Sequence, residues 1–249
     1  MSKRLLLSGI LFFSLSAEAR VFDMAKESFA AYFGVTGGPS AVGKSAFENE
    51  AGSNVTYTNE VNYNYSGEFG FVYSKPAANI RFGFEIIKPQ TLENLVGHGS
   101  GGTALYSETS EILGYVPKLT IEFNLRRSQE SRSFVSGSVG YATVTLKNSY
   151  TLTAAGNTAY PGMDDKMEAK GTGVLWGATL GHEILMTDTT TFLFELGYRR
   201  LNVNNFQYTR SGNYFGTSHK NGDDVLNNGA SREIDLSGFF LGASFRFFM

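Results

Sequence analysis

The feature that most constrains this chain is an alternation of apolar and polar or small side chains with a period of two residues. In the stretch 61–73, VNYNYSGEFGFVY, Phe69 and Phe71 fall in one phase, and Glu68 and Gly70 fall in the other. A period of two predicts a β-strand whose two faces differ chemically. The pattern occurs eight times, at residues 28–37, 61–73, 79–86, 113–125, 133–146, 173–186, 191–200 and 234–249.

The connections between these stretches alternate in length. Those after the second, fourth and sixth stretches are short, and those after the first, third, fifth and seventh run to roughly 20 to 30 residues. This asymmetry predicts an all-β fold, an eight-stranded antiparallel up-and-down transmembrane β-barrel over residues 20–249, with periplasmic turns and long external loops. The fifth stretch loses its phase near Val144, which suggests a β-bulge. The alternative is a soluble eight-stranded barrel with an apolar interior, and the charges opposite the aromatic face disfavour it.

The first residues are typical of an export signal. Lys3 and Arg4 precede an apolar run that ends at Leu15, and Ala17 and Ala19 occupy the small-residue positions of a cleavage site. The run has about half the length that a membrane-spanning helix needs. We therefore expect residues 1–19 to be a cleaved signal peptide, with the mature chain beginning at residue 20 and located as an integral protein in the bacterial outer membrane.

The polar face of the predicted strands carries five acids and four bases. Buried without partners, each of these charges would be very costly in a narrow interior. Because eight strands enclose a space that their own side chains fill, we expect these residues to pair and plug the lumen. The alternative is a charged, ion-selective pore. The predicted lumen network consists of Glu68, Arg81, Glu85, Lys118, Glu122, Glu183, Glu195, Arg199 and Arg246.

The opposite face of the last strand is predicted to face lipid through Phe239, Leu241, Phe245, Phe247 and Met249. With the signal, the eight strands and the four long loops, this aromatic-rich final strand makes the chain resemble the small outer-membrane barrels of the outer-membrane protein A membrane-domain and outer-membrane protein X type. The family normally ends on phenylalanine, whereas this chain ends on methionine. The resemblance implies assembly by the barrel-assembly machinery through the final strand, and contact with outer-membrane lipids and lipopolysaccharide.

One motif points elsewhere. Gly38, Gly43, Lys44 and Ser45 match the spacing of a phosphate-binding loop. Such a loop needs a buried strand before it and a helix after it, and the following AFENEAGSNVTY has no apolar helical face. We therefore expect no bound nucleotide. The formal net charge of −2 likewise gives no reason to expect nucleic acid.

The remaining candidates lie mainly in the predicted loops. The three histidines, His98, His182 and His219, have no metal-ligand spacing, and His182 faces lipid near the periplasmic side. Two acidic runs, near Asp164 and Asp223, lack the spacing of a calcium loop. Aromatic loop residues are candidates for an exposed contact surface, with the interfacial aromatic belt as the alternative: Tyr106, Tyr150, Tyr160, Phe206, Tyr208, Tyr214 and Phe215.

The predicted function is that of a barrel with a plugged, charge-paired lumen, which serves envelope integrity and surface contact or adhesion through its four external loops. The alternatives are a narrow conduit for small or hydrophobic solutes and an enzyme that modifies lipid A. We expect no catalytic residues, cofactor or metal. The external loops are the predicted site for a surface ligand.

Overall fold

The computed structural model describes residues 23, 28–48, 57, 59–99, 101–227 and 229–249. The predicted signal peptide and the predicted first mature residue lie outside the described residues. Within these ranges the chain forms fourteen strands and one short helix, α1, Ala154–Ala159. The eight long barrel strands are β1 Phe29–Gly43, β2 Val61–Ser74, β3 Ala78–Pro89, β5 Ala104–Arg127, β6 Ser131–Leu152, β7 Lys166–Thr187, β8 Thr190–Tyr208 and β14 Gly238–Phe248.

The eight strands close into a ring in the order β1, β2, β3, β5, β6, β7, β8, β14, and every pairing between neighbours is antiparallel. Closure is made by the first and last strands, with Phe33 opposite Phe245 and Ala30 opposite Phe248. The ring leaves no free edge. The predicted eight-stranded up-and-down barrel is confirmed.

Three turns of two or three residues join β2 to β3, β5 to β6 and β7 to β8, and they lie at one end of the barrel together with the first and last strand ends. We call this the turn end and the opposite one the loop end. The turn chemistry is local: Lys75 N donates to Ala78 O, and Ser128 N donates to Ser131 O while the Ser128 hydroxyl contacts Ser131. Such short turns place successive strands side by side.

Much of what the sequence analysis took as loop is strand. The barrel strands extend well past the predicted boundaries at the loop end. Shorter strands there pair with a barrel strand or form two-stranded hairpins. The shorter strands are β4 Leu92–His98, β9 Gly212–Tyr214, β10 Thr217–His219, β11 Leu226–Asn227, β12 Ala230–Ser231 and β13 Ile234–Asp235. The connections from β3 to β5 and from β6 to β7 have 14 and 13 residues and are shorter than predicted, whereas the connection from β8 to β14 has 29 residues, as predicted, and contains β9 to β13.

A belt of exposed apolar side chains surrounds the half of the barrel nearer the turn end. Phe69, Trp176 and Leu241 each leave at least 50% of their surface exposed. Apolar exposure on this scale has no counterpart on a soluble monomer and marks a surface that lipid covers. No helix in the described part of the chain has the length and apolar character to cross a membrane.

Nearer the loop end the two faces exchange polarity. On β6, Val139 and Tyr141 point outward, whereas Val144 and Leu146 point inward and are fully buried. The predicted bulge near Val144 was wrong, because the β6–β7 register runs unbroken from Ser131–Ile184 to Ser149–Lys166. The strands continue past the apolar belt, so their outward side turns polar and their inward side builds an apolar core, as in a soluble barrel.

This core corrects a second prediction. Of the seven aromatic residues proposed for an exposed contact surface, Tyr106, Tyr150, Phe206, Tyr208 and Tyr214 are buried. Tyr160 and Phe215 are half-buried and pack against the same cluster. Phe215 lies 5.3 Å from both Tyr106 and Tyr150 between ring centroids. These aromatic rings therefore hold the loop-end extension together instead of presenting a surface to partners.

Candidate functional site

The candidate site is the charged lumen in the half of the barrel nearer the turn end. All nine residues of the predicted network point inward, and each side chain is at most 10% exposed. Alternation brings them inside, because each occupies the phase opposite the lipid-facing aromatic residues of its strand. The structure brings the nine together in two connected groups.

The first group lies nearest the turn end and joins four strands. The Arg246 guanidinium contacts Glu122 at 2.5 Å and Glu183 at 3.1 Å. The Arg132 guanidinium contacts the same two carboxylates at 2.7 and 2.5 Å. The Thr191 hydroxyl donates to Glu183. Two guanidinium groups thus bridge two carboxylates, an arrangement that satisfies most donors and acceptors of the four side chains.

The second group lies further toward the loop end. Lys118 Nζ lies 2.6 Å from Glu68 and 2.8 Å from Glu85. Glu85 also accepts from Arg199 at 2.7 Å and from the Ser66 hydroxyl at 2.6 Å. The Tyr32 hydroxyl donates to Glu68 at 2.5 Å.

Arg81 connects the two groups. Its guanidinium donates two hydrogen bonds to Glu195, at 3.1 and 3.3 Å. It also lies 3.6 Å from Glu122 in the first group and 3.8 Å from Glu68 in the second. The lumen charges therefore form one continuous network.

Three of these ion pairs cross the full width of the barrel. In the ring of eight strands, β3 is opposite β8, and β5 is opposite β14. Arg81 and Glu85 on β3 pair with Glu195 and Arg199 on β8. Since each pair joins opposite walls at hydrogen-bond distance, the charged side chains occupy the space where a pore would run.

Arg132 belongs to the same lumen network, although it is not among the nine predicted residues. The predicted strands 113–125 and 133–146 place Arg132 in the connection between them, whereas it lies in β6, points inward and is fully buried. With Arg132 included, five acids meet five bases. The signal was present in the sequence, because Val135 and Val139 fix the outward phase of this strand, and Arg132 falls in the inward phase.

The predicted lipid-facing residues of the final strand lie on the outer wall. Phe239, Leu241, Phe247 and Met249 are exposed, and Phe245 is half-exposed between Phe33 and Phe192. Their inward neighbours on this strand include Arg246 and Ser244, both buried.

The loop end is closed by the segment that has the spacing of a phosphate-binding loop. After Gly43, residues 44–48 form a tight turn in which Glu48 N donates to Lys44 O, and Ala46 and Phe47 are fully buried. Ala46 O accepts hydrogen bonds from Asn148 and from Arg232, side chains of β6 and of the β12–β13 connection. Phe47 packs edge-on against Tyr57. In this setting residues 44–48 form a turn that caps an apolar core.

The three histidines lie apart. His182 Nδ1 and the Ser133 hydroxyl are 2.9 Å apart on the outer wall, and His98 Nδ1 lies 3.1 Å from Gly102 O. His219 stacks on Tyr208 with 4.5 Å between ring centroids, and burial lowers the pKa of its imidazole. Among the described residues, no three His, Cys, Asp or Glu side chains cluster as metal ligands would.

The two acidic runs are engaged with backbone. Asp164 Oδ2 accepts from Asn213 N at 2.7 Å, and Asp223 Oδ2 accepts from Lys220 N at 2.7 Å. These bonds fix the connections around β9 and β10.

No protein-family model and no curated protein matches the chain. Similar solved structures include Neisserial surface protein A, with 9% identity, a TM-score of 0.42, and coverage of 89% of this chain and 97% of that one. The outer membrane protein OprG from Pseudomonas aeruginosa has 12% identity and a TM-score of 0.45, and the match covers 90% of this chain and 96% of that one. Ail, the attachment invasion locus protein of Yersinia pestis, has 10% identity and a TM-score of 0.43, and the match covers 89% of this chain and 99% of that one. The assignment of this chain as an eight-stranded barrel depends on its own strand pairing.

Proposed function

We propose that this chain is an integral outer-membrane β-barrel with a closed lumen, which serves envelope integrity through its wall and surface contact through its loop-end extension. One observation carries the proposal: an apolar belt encloses an interior filled with paired charges and, beyond them, with apolar side chains. A wall of this kind gains its stability from lipid outside and from side-chain packing inside.

The contact role rests on the polar, exposed parts of the extension. The β9–β10 and β11–β12 hairpins stand beyond the apolar belt. Ser218 in the first hairpin is exposed, and so are Lys220 and Asp224 in the connection between the two hairpins. The buried aromatic rings beneath them fix the backbone that presents these residues. We infer a partner of unspecified chemistry that contacts these hairpins, and we infer no enzymatic activity, nucleotide or nucleic acid.

The second candidate is a conduit for small or hydrophobic solutes. The apolar core of the loop-end half favours this function, because an apolar solute that entered it would not have to displace buried charges. The cross-lumen ion pairs oppose it, since an apolar solute would have to displace buried charges that pair with one another.

Two variants separate the wall from the contact surface. In the first, Ser218→Glu and Lys220→Glu change two exposed side chains at the β9–β10 hairpin and leave the buried aromatic rings in place. We expect this variant to reach the outer membrane and preserve resistance of the cells to detergent, while their adherence to a surface falls. In the second, Glu122→Gln weakens the lumen network. We expect this variant to preserve adherence while the resistance of the cells to detergent falls. Unchanged adherence of the Ser218→Glu, Lys220→Glu variant would contradict the contact role.

A further inference from the structure

A polar row crosses the lipid-facing wall where apolar residues would be expected. Arg126 on β5, Ser133 on β6 and His182 on β7 are successive cross-strand partners, Arg126 opposite Ser133 and Ser133 opposite His182. Around them the outer wall is apolar, with Leu180 and Ile184 flanking His182 on its own strand and both exposed. Polar groups in such a position are costly in hydrocarbon and are retained where they bind or react.

A β-bulge turns Arg126 into this row. The β5–β6 register shifts between Asn124 and Arg126, so that Leu125 is the extra residue. Without the bulge Arg126 would share the inward phase of Glu122 and Asn124; with it, the guanidinium points outward beside Ser133. Bulges commonly redirect a side chain in this way. Arg126 has no ion pair with another described residue, so its charge is available to an external anion.

The other two side chains supply a directed donor. The Ser133 hydroxyl and His182 Nδ1 are 2.9 Å apart. When Ser133 donates this bond, the neutral imidazole carries its proton on Nε2, which then points away from Ser133 as a hydrogen-bond donor. His182 Nε2 has no partner in the described part of the chain.

The row is inclined to the membrane plane. Arg126 is the penultimate residue of β5, whereas His182 lies five residues before the end of β7. With strands tilted by about 40° and spaced about 4.8 Å apart, two strand spacings place His182 roughly 6 Å deeper than Arg126. A cation at the surface and a neutral donor on its acyl side match a lipid that carries a phosphate above its ester carbonyls.

We propose that Arg126, Ser133 and His182 form a binding site for one glycerophospholipid of the leaflet at the turn end. Its phosphate pairs with the Arg126 guanidinium, and an ester carbonyl accepts a hydrogen bond from His182 Nε2, with Ser133 holding the ring. The acyl chains lie along the apolar wall beside Leu180 and Ile184. The site rests on the proposed placement of the barrel in the outer membrane, with its turn end toward the inner leaflet.

Native mass spectrometry tests the site on the folded full chain in detergent with added phosphatidylglycerol. We expect one lipid to remain bound to the wild type, with affinity about ten-fold lower in Arg126→Gln and about three- to ten-fold lower in His182→Leu. Two matched controls should retain the lipid: Arg200→Gln, an exposed arginine opposite Trp176, and Thr172→Leu, another outward polar residue of β7.

An ether-linked phosphatidylglycerol lacks the ester carbonyls and isolates the second contact. The wild type should bind it as weakly as His182→Leu binds the ester lipid, and His182→Leu should not distinguish the two lipids. Equal retention by all variants, or preference for lipopolysaccharide over phosphatidylglycerol, would overturn the site. The samples are those that migrate as a folded, heat-modifiable band, so failure to form that band counts against the proposed function and not against the site.

Discussion

Arg246 and Glu122 lie on opposite walls of the barrel, on β14 and β5, yet their side chains meet at 2.5 Å in the centre of the lumen. Both are fully buried, and each has a second partner: Arg246 contacts Glu183, and Glu122 contacts Arg132. Removing one member leaves buried charges without compensation, which is more costly than the pair is favourable.

The substitution Arg246→Met is therefore expected to destabilise the barrel by about 3 to 5 kcal/mol, because Glu122 and Glu183 lose one of the two cations that they share. The measurement is the free energy of unfolding in urea from lipid vesicles. Arg210→Met, at an exposed position of the loop-end extension, is the control and should stay within about 0.5 kcal/mol of the wild type. Equal stability of the two variants would mean that water enters the lumen and hydrates the charges.

The inversion of polarity along β6 predicts opposite results for adjacent residues. Leu146 is fully buried in the loop-end core, and Thr145 faces outward beside it. Leu146→Ala should cost about 2 to 5 kcal/mol, through the lost transfer energy and the cavity that remains. Thr145→Ala should change the free energy of unfolding by less than about 0.5 kcal/mol. A larger effect at Thr145 would place the apolar side of this segment outside.

Trypsin treatment of intact cells tests the orientation of the barrel in the outer membrane. Arg210 and Lys220 are exposed on the loop-end extension, whereas Arg126 and Arg127 lie beside a turn at the other end. We expect cleavage after Arg210 or Lys220 on intact cells, and cleavage near Arg127 only after the outer membrane is permeabilised. Peptide mass spectrometry identifies the cut sites. The reverse pattern would invert the proposed orientation.

The stack of His219 on Tyr208 predicts a pH dependence of the β9–β10 hairpin. Burial lowers the pKa of the His219 imidazole below its ordinary value of 6.5, while the nearby Asp223 opposes this shift. The neutral form is therefore favoured in the folded hairpin. Its contribution to stability is complete above about pH 6.5 and is lost as the pH falls through the folded pKa.

Hydrogen exchange of residues 212–219 measures this effect once intrinsic rates are corrected for pH. Protection should fall between pH 7.5 and pH 5 in the wild type. The variant His219→Phe preserves an aromatic ring without a titrating group, and its protection should not change over this range. An equal loss of protection in both proteins would assign the effect to another group.

The sequence was sufficient to predict the strands of the membrane half, because there the alternation is strict: lipid selects apolar residues on one face, and the narrow interior selects charges on the other. It did not identify which cation meets which carboxylate, since partners such as Arg81 and Glu195 are separated by 114 residues. Arg132 was assigned to a turn because the turn was drawn too long.

The loop-end half could not be predicted in the same way. Beyond the apolar belt the physical rule reverses, so that Val144 and Leu146 lie inside while Lys147 lies outside. In the sequence of β6 the apolar residues move from odd to even positions at Val144, which resembles the loss of phase at a β-bulge. In the structure the β6–β7 register does not shift there, and only the polarity of the two faces is reversed. Buried aromatic residues such as Tyr106 and Phe206 then resemble exposed loop residues.

The closed lumen is tested most directly by single-channel conductance of the purified barrel in planar bilayers. The wild type should give no stable, reproducible channels, because the ion pairs from Arg81 to Glu195 and from Arg246 to Glu122 span the lumen and the turn of residues 44–48 caps the loop end. Stable channels of uniform conductance from wild-type protein that also shows the folded, heat-modifiable band would contradict the account.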